Sequence, residues 1–226
     1  MNTTRSILLI LIVVVVIVYG ASLLLPGGAP QANTSRVLST VEIRDYHGQR
    51  LDSITDFREN SIKGPQYVNI STYRLQVDGL VDQPKNLTYD EVLANPHYEK
   101  VITLHCVEGW DATVLWDGVR IADILNGTGV SPGANTVIFY AYDGYSTSLP
   151  LDYIENNNIL LASGMNAVTL PVDRGYPFQL VAEDKWGYKW IKWVTRIEIS
   201  NDPGYRGYWE QRGYSQTGNL NESFFS

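Results

Sequence analysis

The chain contains one cysteine, Cys106, among its 226 residues. A single thiol excludes an intrachain disulfide and a multi-cysteine zinc site. Three uses remain: a packed core residue, a nucleophile, or one thiolate ligand to a metal that another molecule carries. Histidine is scarce too, at three residues: His47, His97 and His105. On a strand, His105 and Cys106 point to opposite faces, because only residues two apart share one, and His47 and His97 fall in unrelated loops. A zinc site and a Cys-His nucleophile pair are therefore not written into the local sequence. The chain has neither a Gly-x-Ser-x-Gly elbow nor a glycine loop that would cradle phosphate. Positive charge is short, with 17 Lys and Arg against 24 Asp and Glu, a net charge of −7. A surface of that sign repels phosphate backbones, so nucleic acid is not an expected partner.

Long apolar runs are confined to the N-terminus. From Ile7 to Leu25 only Tyr19, Gly20 and Ser22 interrupt a nineteen-residue apolar stretch, a length of about 28 Å as a helix against a hydrocarbon core of about 30 Å. Residues 1–25 are read as an uncleaved signal anchor, a transmembrane helix, with a cleaved signal peptide as the alternative. Residues 26–36, with Pro26-Gly27-Gly28-Ala29-Pro30, form a linker, and residues 37–226 a single domain. Asn-x-Ser/Thr sequons at Asn2, Asn33, Asn69, Asn86, Asn126 and Asn221 fit a membrane-anchored domain on the extracytoplasmic side.

Beyond the linker, the pattern predicts many short strands and few helices. Val37 to Asp45 alternates, and Tyr73 to Gly79 alternates into an Asp-Gly turn. Thr88 stands three residues ahead of Glu91, the spacing of a capping box, and opens a short helix. Lys100 to His105 reads as a strand that delivers Cys106 at its C-terminal end. Val119 to Leu125 reads as a short helix. Val137–Tyr142, Ile159–Met165, Ala167–Pro171, Phe178–Ala182 and Val194–Ser200 are further strand candidates. With no strand-helix-strand rhythm and no internal repeat, the expected class is α+β with mixed or antiparallel sheets.

Two segments carry the most chemistry. The first is His105-Cys106-Val107-Glu108-Gly109-Trp110. The second is Lys185-Trp186-Gly187-Tyr188-Lys189-Trp190-Ile191-Lys192-Trp193. Between and after them come Trp116-Asp117-Gly118-Val119, Asp143-Gly144-Tyr145-Ser146 and Gly207-Tyr208-Trp209-Glu210-Gln211-Arg212-Gly213-Tyr214. In this order the segments resemble the molybdopterin-binding catalytic domain of the sulfite oxidase superfamily, over roughly Tyr73 to Tyr214. They are most similar to its haem-free branch, which includes the periplasmic methionine sulfoxide reductase catalytic subunit.

The resemblance implies a sulfite-oxidase-type fold without the immunoglobulin-like dimerisation domain of full sulfite oxidases. It also implies a cofactor of molybdenum held by a pyranopterin dithiolene, with Cys106 as the only protein ligand to the metal. Gly187, Tyr188 and Lys189 are the implied cofactor contacts, with Lys185 beside them; the alternative is that the lysines solvate an edge strand. Asn60 is the candidate pterin contact from the irregular stretch 52–66, against the plainer reading of a turn-forming asparagine. Relatives place an arginine two residues after a proline, as a cofactor contact, a role the resemblance passes to Arg174. Here Gln179 stands there and Arg174 lies three residues before Pro177, as though the charge had moved. Tyr145 is a candidate hydrogen-bond donor to the transferred oxygen or else a packed turn residue.

Glu108, Trp110 and Asp111 give the cysteine an acidic, aromatic rim. Sulfite is an anion and asks for a ring of cations, so reduction of a neutral oxide such as a sulfoxide is favoured over sulfite oxidation. A non-catalytic surface domain is the competing class. The implied membrane-tethered oxidoreductase has no haem-binding motif and would exchange electrons with a separate partner, a quinol or a haem protein. Family members are exported folded behind a twin-arginine signal; Thr3-Thr4-Arg5-Ser6 keeps that shape with threonine at the first arginine.

Overall fold

The structure, a computed structural model, describes residues 38–225. Strands β1 (Asp45–Tyr46) and β2 (Gln49–Arg50) make a small hairpin. Two five-stranded sheets then carry the domain. The first has the order β10-β9-β6-β5, with β11 also paired to β9, and is antiparallel throughout. Its strands are β5 (His97–His105), β6 (Asp111–Arg120), β9 (Leu160–Met165), β10 (Val168–Thr169) and β11 (Gln179–Val181). The second sheet has the order β4-β3-β12-β7-β8 and is mixed, since β3 and β12 run parallel. It comprises β3 (Leu75–Gly79), β4 (Lys85–Leu87), β7 (Thr136–Ala141), β8 (Ser146–Pro150) and β12 (Val194–Ser200). One hydrophobic core draws on both sheets: Leu75, Val77, Phe139 and Ile197 join Val114, Trp116, Leu161 and Leu180. The α+β class with mixed and antiparallel sheets matches the expectation.

The helices are short. Helix α1 (Tyr89–Leu93) starts where the capping box predicts: Glu91 N–H donates to Thr88 Oγ1 at 3.2 Å, and Thr88 N–H donates to the Glu91 carboxylate at 2.7 Å. Helices α2 (Ile121–Leu125) and α3 (Leu151–Asn156) each make about one turn. Among the described residues no helix is long and apolar enough to cross a membrane; the stretch read as an anchor lies outside them.

Strand β6 departs from the expectation, which reads residues 111–118 as no strand. Its burial is nearly continuous from Ala112 to Val119 because β5 and β9 flank it and both its faces are covered. A strand buried on both faces loses the period-two signal. Residues 38–44 form no strand despite their alternation. They are tied to the β9–β10 turn instead, by Ser39 N–H to Ala167 O at 2.7 Å and Ile43 N–H to Asn166 O at 3.0 Å.

Candidate active site

The β5–β6 hairpin sets the position of Cys106. Its last pair is His105 with Asp111, so residues 106–110 form the connecting loop. Cys106 N–H donates to Trp110 O at 2.9 Å and Gly109 N–H to Cys106 O at 3.0 Å, with Gly109 at φ +85°. That left-handed conformation is one a side chain would strain. The His105 ring turns the other way and meets Asp111 Oδ1 at 2.7 Å, as the opposite-face argument requires. Cys106 is 8% exposed and lies on the wall of a cavity of about 410 Å³.

Two N–H groups approach its sulfur: the Glu108 backbone at 3.5 Å and Asn60 Nδ2 at 3.7 Å. Burial pushes the thiol above its ordinary value. The Glu108 N–H pulls the other way, and the Glu108 carboxylate adds to the rise. The thiol therefore stays protonated to a higher pH than in an unfolded chain. In cofactor-free protein, iodoacetamide labelling of Cys106 is expected to rise with pH along a curve displaced above that of the denatured protein. Mass spectrometry of the labelled cysteine measures both curves; a coincident or lower curve contradicts the burial argument.

Of the expected site residues, Asn60, Cys106, Tyr145, Arg174, Gly187 and Tyr188 line this cavity. Gly187 is brought there by a parallel bridge between His105 and Trp186. A Cβ on Gly187 would stand 3.2 Å from His105 O and 3.5 Å from Cys106 Cα, so the missing side chain is what lets the turn lie against the cysteine strand. Tyr188 donates its hydroxyl to Ser215 O at 2.8 Å.

Four of the expected residues, Lys185, Lys189, Tyr145 and Arg174, have their polar groups engaged by the protein itself, the Arg174 guanidinium by the carbonyls of Ile54, Phe57 and Arg58. Lys185 and Lys189 do not line the cavity. The Lys185 ammonium is bonded to Asn219 Oδ1 and lies 4.4 Å from the centre of the Tyr153 ring. Lys189 is fully buried, with Nζ 2.6 Å from Glu210 Oε1 and 3.1 Å from Ser148 O. Neither solvates an edge strand, and burial draws both ammonium groups below their ordinary range. Tyr145 lines the cavity, but its hydroxyl donates to Tyr188 O at 2.5 Å. Its one proton is engaged by the backbone rather than free for a transferred oxygen.

The lysine that does reach the cavity is Lys192, together with Trp190 and Ile191. Spacing did not single it out, because Gly187–Lys189 is a 3₁₀ turn and Trp193 adopts φ +53°, so no helical or strand period sorts the three lysines. Its ammonium is bonded to Glu59 and donates to Asp173 O at 3.2 Å. Burial lowers its pKa while Glu59 raises it. Trp209 and Tyr214 add an aromatic wall from the C-terminal segment. Among the described residues no group of three His, Cys, Asp or Glu side chains gathers to hold a metal.

Comparison with known proteins agrees on one family. The profile of the oxidoreductase molybdopterin binding domain matches residues 62–209. The uncharacterized oxidoreductase YuiH of Bacillus subtilis is 37% identical over 155 residues, 68% of this chain and 78% of its own length. The putative protein-methionine-sulfoxide reductase subunit YedZ1 of Azospira oryzae is 35% identical over 67% of this chain. The protein-methionine-sulfoxide reductase catalytic subunit MsrP of Gluconobacter oxydans is 32% identical over 56% of it. The chain spans 57% and 46% of those last two proteins. The sulfane dehydrogenase SoxCD of Paracoccus pantotrophus shares the fold at a TM-score of 0.60 and 22% identity, over 68% of this chain and 43% of that one. This chain belongs to the oxidoreductase molybdopterin binding domain family and is an oxidoreductase with molybdopterin as its cofactor.

Proposed function

We propose that the chain reduces a neutral oxide, an organic sulfoxide foremost. In that reaction the S–O bond breaks, two electrons and two protons are consumed, and a thioether and water form. The cavity fits the cofactor on three counts. Cys106 offers the one soft anionic donor that molybdenum bound by a dithiolene calls for. Trp110 Nε1 and Ser61 Oγ are buried on the cavity wall with no hydrogen-bond partner among the described residues, and donors left so are costly unless something meets them. Gly187 keeps the backbone of the 187–189 turn close to Cys106.

In this reading Cys106 would hold the metal, Asn60 and the Glu108 N–H would steady its sulfur, and Gly187 and Tyr188 would lie against the pterin. When bound, the cofactor supplies the two-electron oxygen-atom exchange. The protein's part is to exclude water behind Trp110, Trp190 and Trp209 and to choose the substrate's charge.

Charge is the observation that carries the proposal. The cavity's cations are Arg58, Arg174 and Lys192, against the carboxylates Glu59, Glu108, Asp143 and Asp173. Two of those cations are buried and engaged, and the third is exposed beside a carboxylate. Arg58 lies 3.9 Å from Glu108, Lys192 is bonded to Glu59, and Arg174 is held by backbone carbonyls. An oxyanion such as sulfite would meet four carboxylates against three cations, two of them buried and engaged, whereas a neutral sulfoxide needs no cation. The two relatives whose names include methionine sulfoxide reductase support the same direction of transfer.

We further propose that residues 1–25 tether the domain outside the cytoplasm and that a membrane quinol or a haem protein delivers the electrons. The apolar run and the sequons support this. The assay is oxidation of reduced viologen by the purified, cofactor-loaded protein. Sulfoxide-dependent oxidation is expected. Reduction of an artificial acceptor by sulfite, with no turnover of sulfoxides, would overturn the reading.

A further inference from the structure

Arg174 lies three residues before Pro177, and its surroundings give it a task of its own. It closes a 3₁₀ turn (Val172–Arg174) ended by Gly175, and it is 5% exposed. Its guanidinium points at one segment. Nε donates to Ile54 O at 3.0 Å, Nη1 to Arg58 O at 3.0 Å and Nη2 to Phe57 O at 2.6 Å, while the cation sits 4.0 Å from the centre of the Phe57 ring. That segment forms no helix and pairs with no strand, so its carbonyls need such a donor. A planar cation with a rigid, spread fork of donors satisfies three of them at once, a geometry that the compact ammonium of a lysine does not match.

The clamped segment runs into one wall of the cavity, at Phe57 and Arg58. Phe57 lies against Trp110 at 5.6 Å between ring centres, and Trp110 O closes the Cys106 loop. Two residues past the last clamped carbonyl, Asn60 places Nδ2 3.7 Å from Cys106 Sγ. We propose that Arg174 is a positioning residue: by gripping residues 54–58 it holds the Asn60 amide at the Cys106 sulfur, without touching that sulfur itself. A donor hydrogen-bonded to a metal-bound thiolate withdraws electron density from it and tunes the metal. The inference rests on Cys106 being the metal's ligand.

The test uses the full chain, with and without cofactor, in the variants Arg174→Gln, Arg174→Lys and Asn60→Leu. Hydrogen exchange followed by mass spectrometry reads the clamp. Arg174→Gln is expected to speed exchange across residues 54–62 by about tenfold or more, and Arg174→Lys by less, in cofactor-free and loaded protein alike. The Mo(V) resonance of the loaded protein reads the sulfur. Asn60→Leu and Arg174→Gln are expected to shift it in the same direction, and the double variant no further than Asn60→Leu alone. Unchanged exchange at 54–62 overturns the proposal, as does a Mo(V) shift in the double variant equal to the sum of the single ones. If Arg174→Gln does not fold, Arg174→Lys carries both readings with the same criteria. A Mo(V) signal that is identical in wild type and Cys106→Ser would sink the ligand assignment instead, while the exchange result stands on its own.

Discussion

The Cys106→Ser variant is expected to lose turnover to the background of the assay while keeping its fold. Serine replaces a soft sulfur, the atom type that binds molybdenum as a thiolate, with a hard hydroxyl, so the proposed thiolate ligand disappears. Stability should change little. The Glu108 N–H and the Asn60 amide already face the atom in question, so the new hydroxyl oxygen has donors to accept from. The remaining cost of burying it is about 1 kcal/mol, which in a domain of this size lowers Tm by roughly 2–4 °C. Thermal unfolding and the viologen assay on the same preparation separate the two effects. A variant that stays folded and retains substantial turnover contradicts the role given to this residue.

The second large effect falls on a pair that does not line the cavity. Lys189 and Glu210 are both fully buried, 2.6 Å apart, and Glu210 Oε1 also accepts from Thr147 Oγ1 at 2.6 Å. The pair pins the 187–189 turn, and with it Gly187 beside Cys106, to β8 and to the C-terminal segment. Removing one partner strands the other charge in the interior, at a cost of about 3–5 kcal/mol. Glu210→Ala and Lys189→Ala are each expected to lower Tm by roughly 6–20 °C at the sensitivity of a domain this size. The double variant Lys189→Met with Glu210→Gln should recover most of that loss, because no charge is left unpaired and the amide still accepts from Thr147. Thermal or urea unfolding measures all three. Single variants within a degree or two of wild type would show that the interior there is wetter than its burial implies.

Those two residues also mark the limit of what spacing alone conveys. The sequence shows lysines at 185, 189 and 192 around Gly187, a cationic cluster in an acidic chain, and the motif resemblance draws 185 and 189 toward the cofactor. Which lysine reaches the cavity depends on a 3₁₀ turn and on the positive φ of Trp193, and neither leaves a periodic trace. The partner that takes Lys189 inward is 21 residues away in the chain, at a glutamate whose neighbours give no sign of burial. Arg174 and Gln179 are a similar case. Their exchange relative to the family pattern is visible in sequence, but not that the arginine would be spent on the carbonyls of Ile54, Phe57 and Arg58.

The fold was more legible where physics is local. The capping box of α1, the end of β5 at His105 and the alternation of β12 each depend on neighbours within a few residues. Strand β6, buried on both faces, and β8, whose buried Thr147 and Ser148 are polar, depend on what covers them. A hydrophobic period cannot report a strand whose inward residues are hydroxyls bonded to Glu210 and to the backbone.

X-ray absorption at the molybdenum edge, on loaded wild type and loaded Cys106→Ser protein, goes most directly to the centre of the account. Wild type is expected to show one sulfur neighbour more than the variant, at a metal–thiolate distance, with the dithiolene sulfurs common to both. An identical sulfur shell in the two samples would mean that the polypeptide contributes no sulfur to the metal, and Cys106 would return to being a buried thiol at the end of a strand.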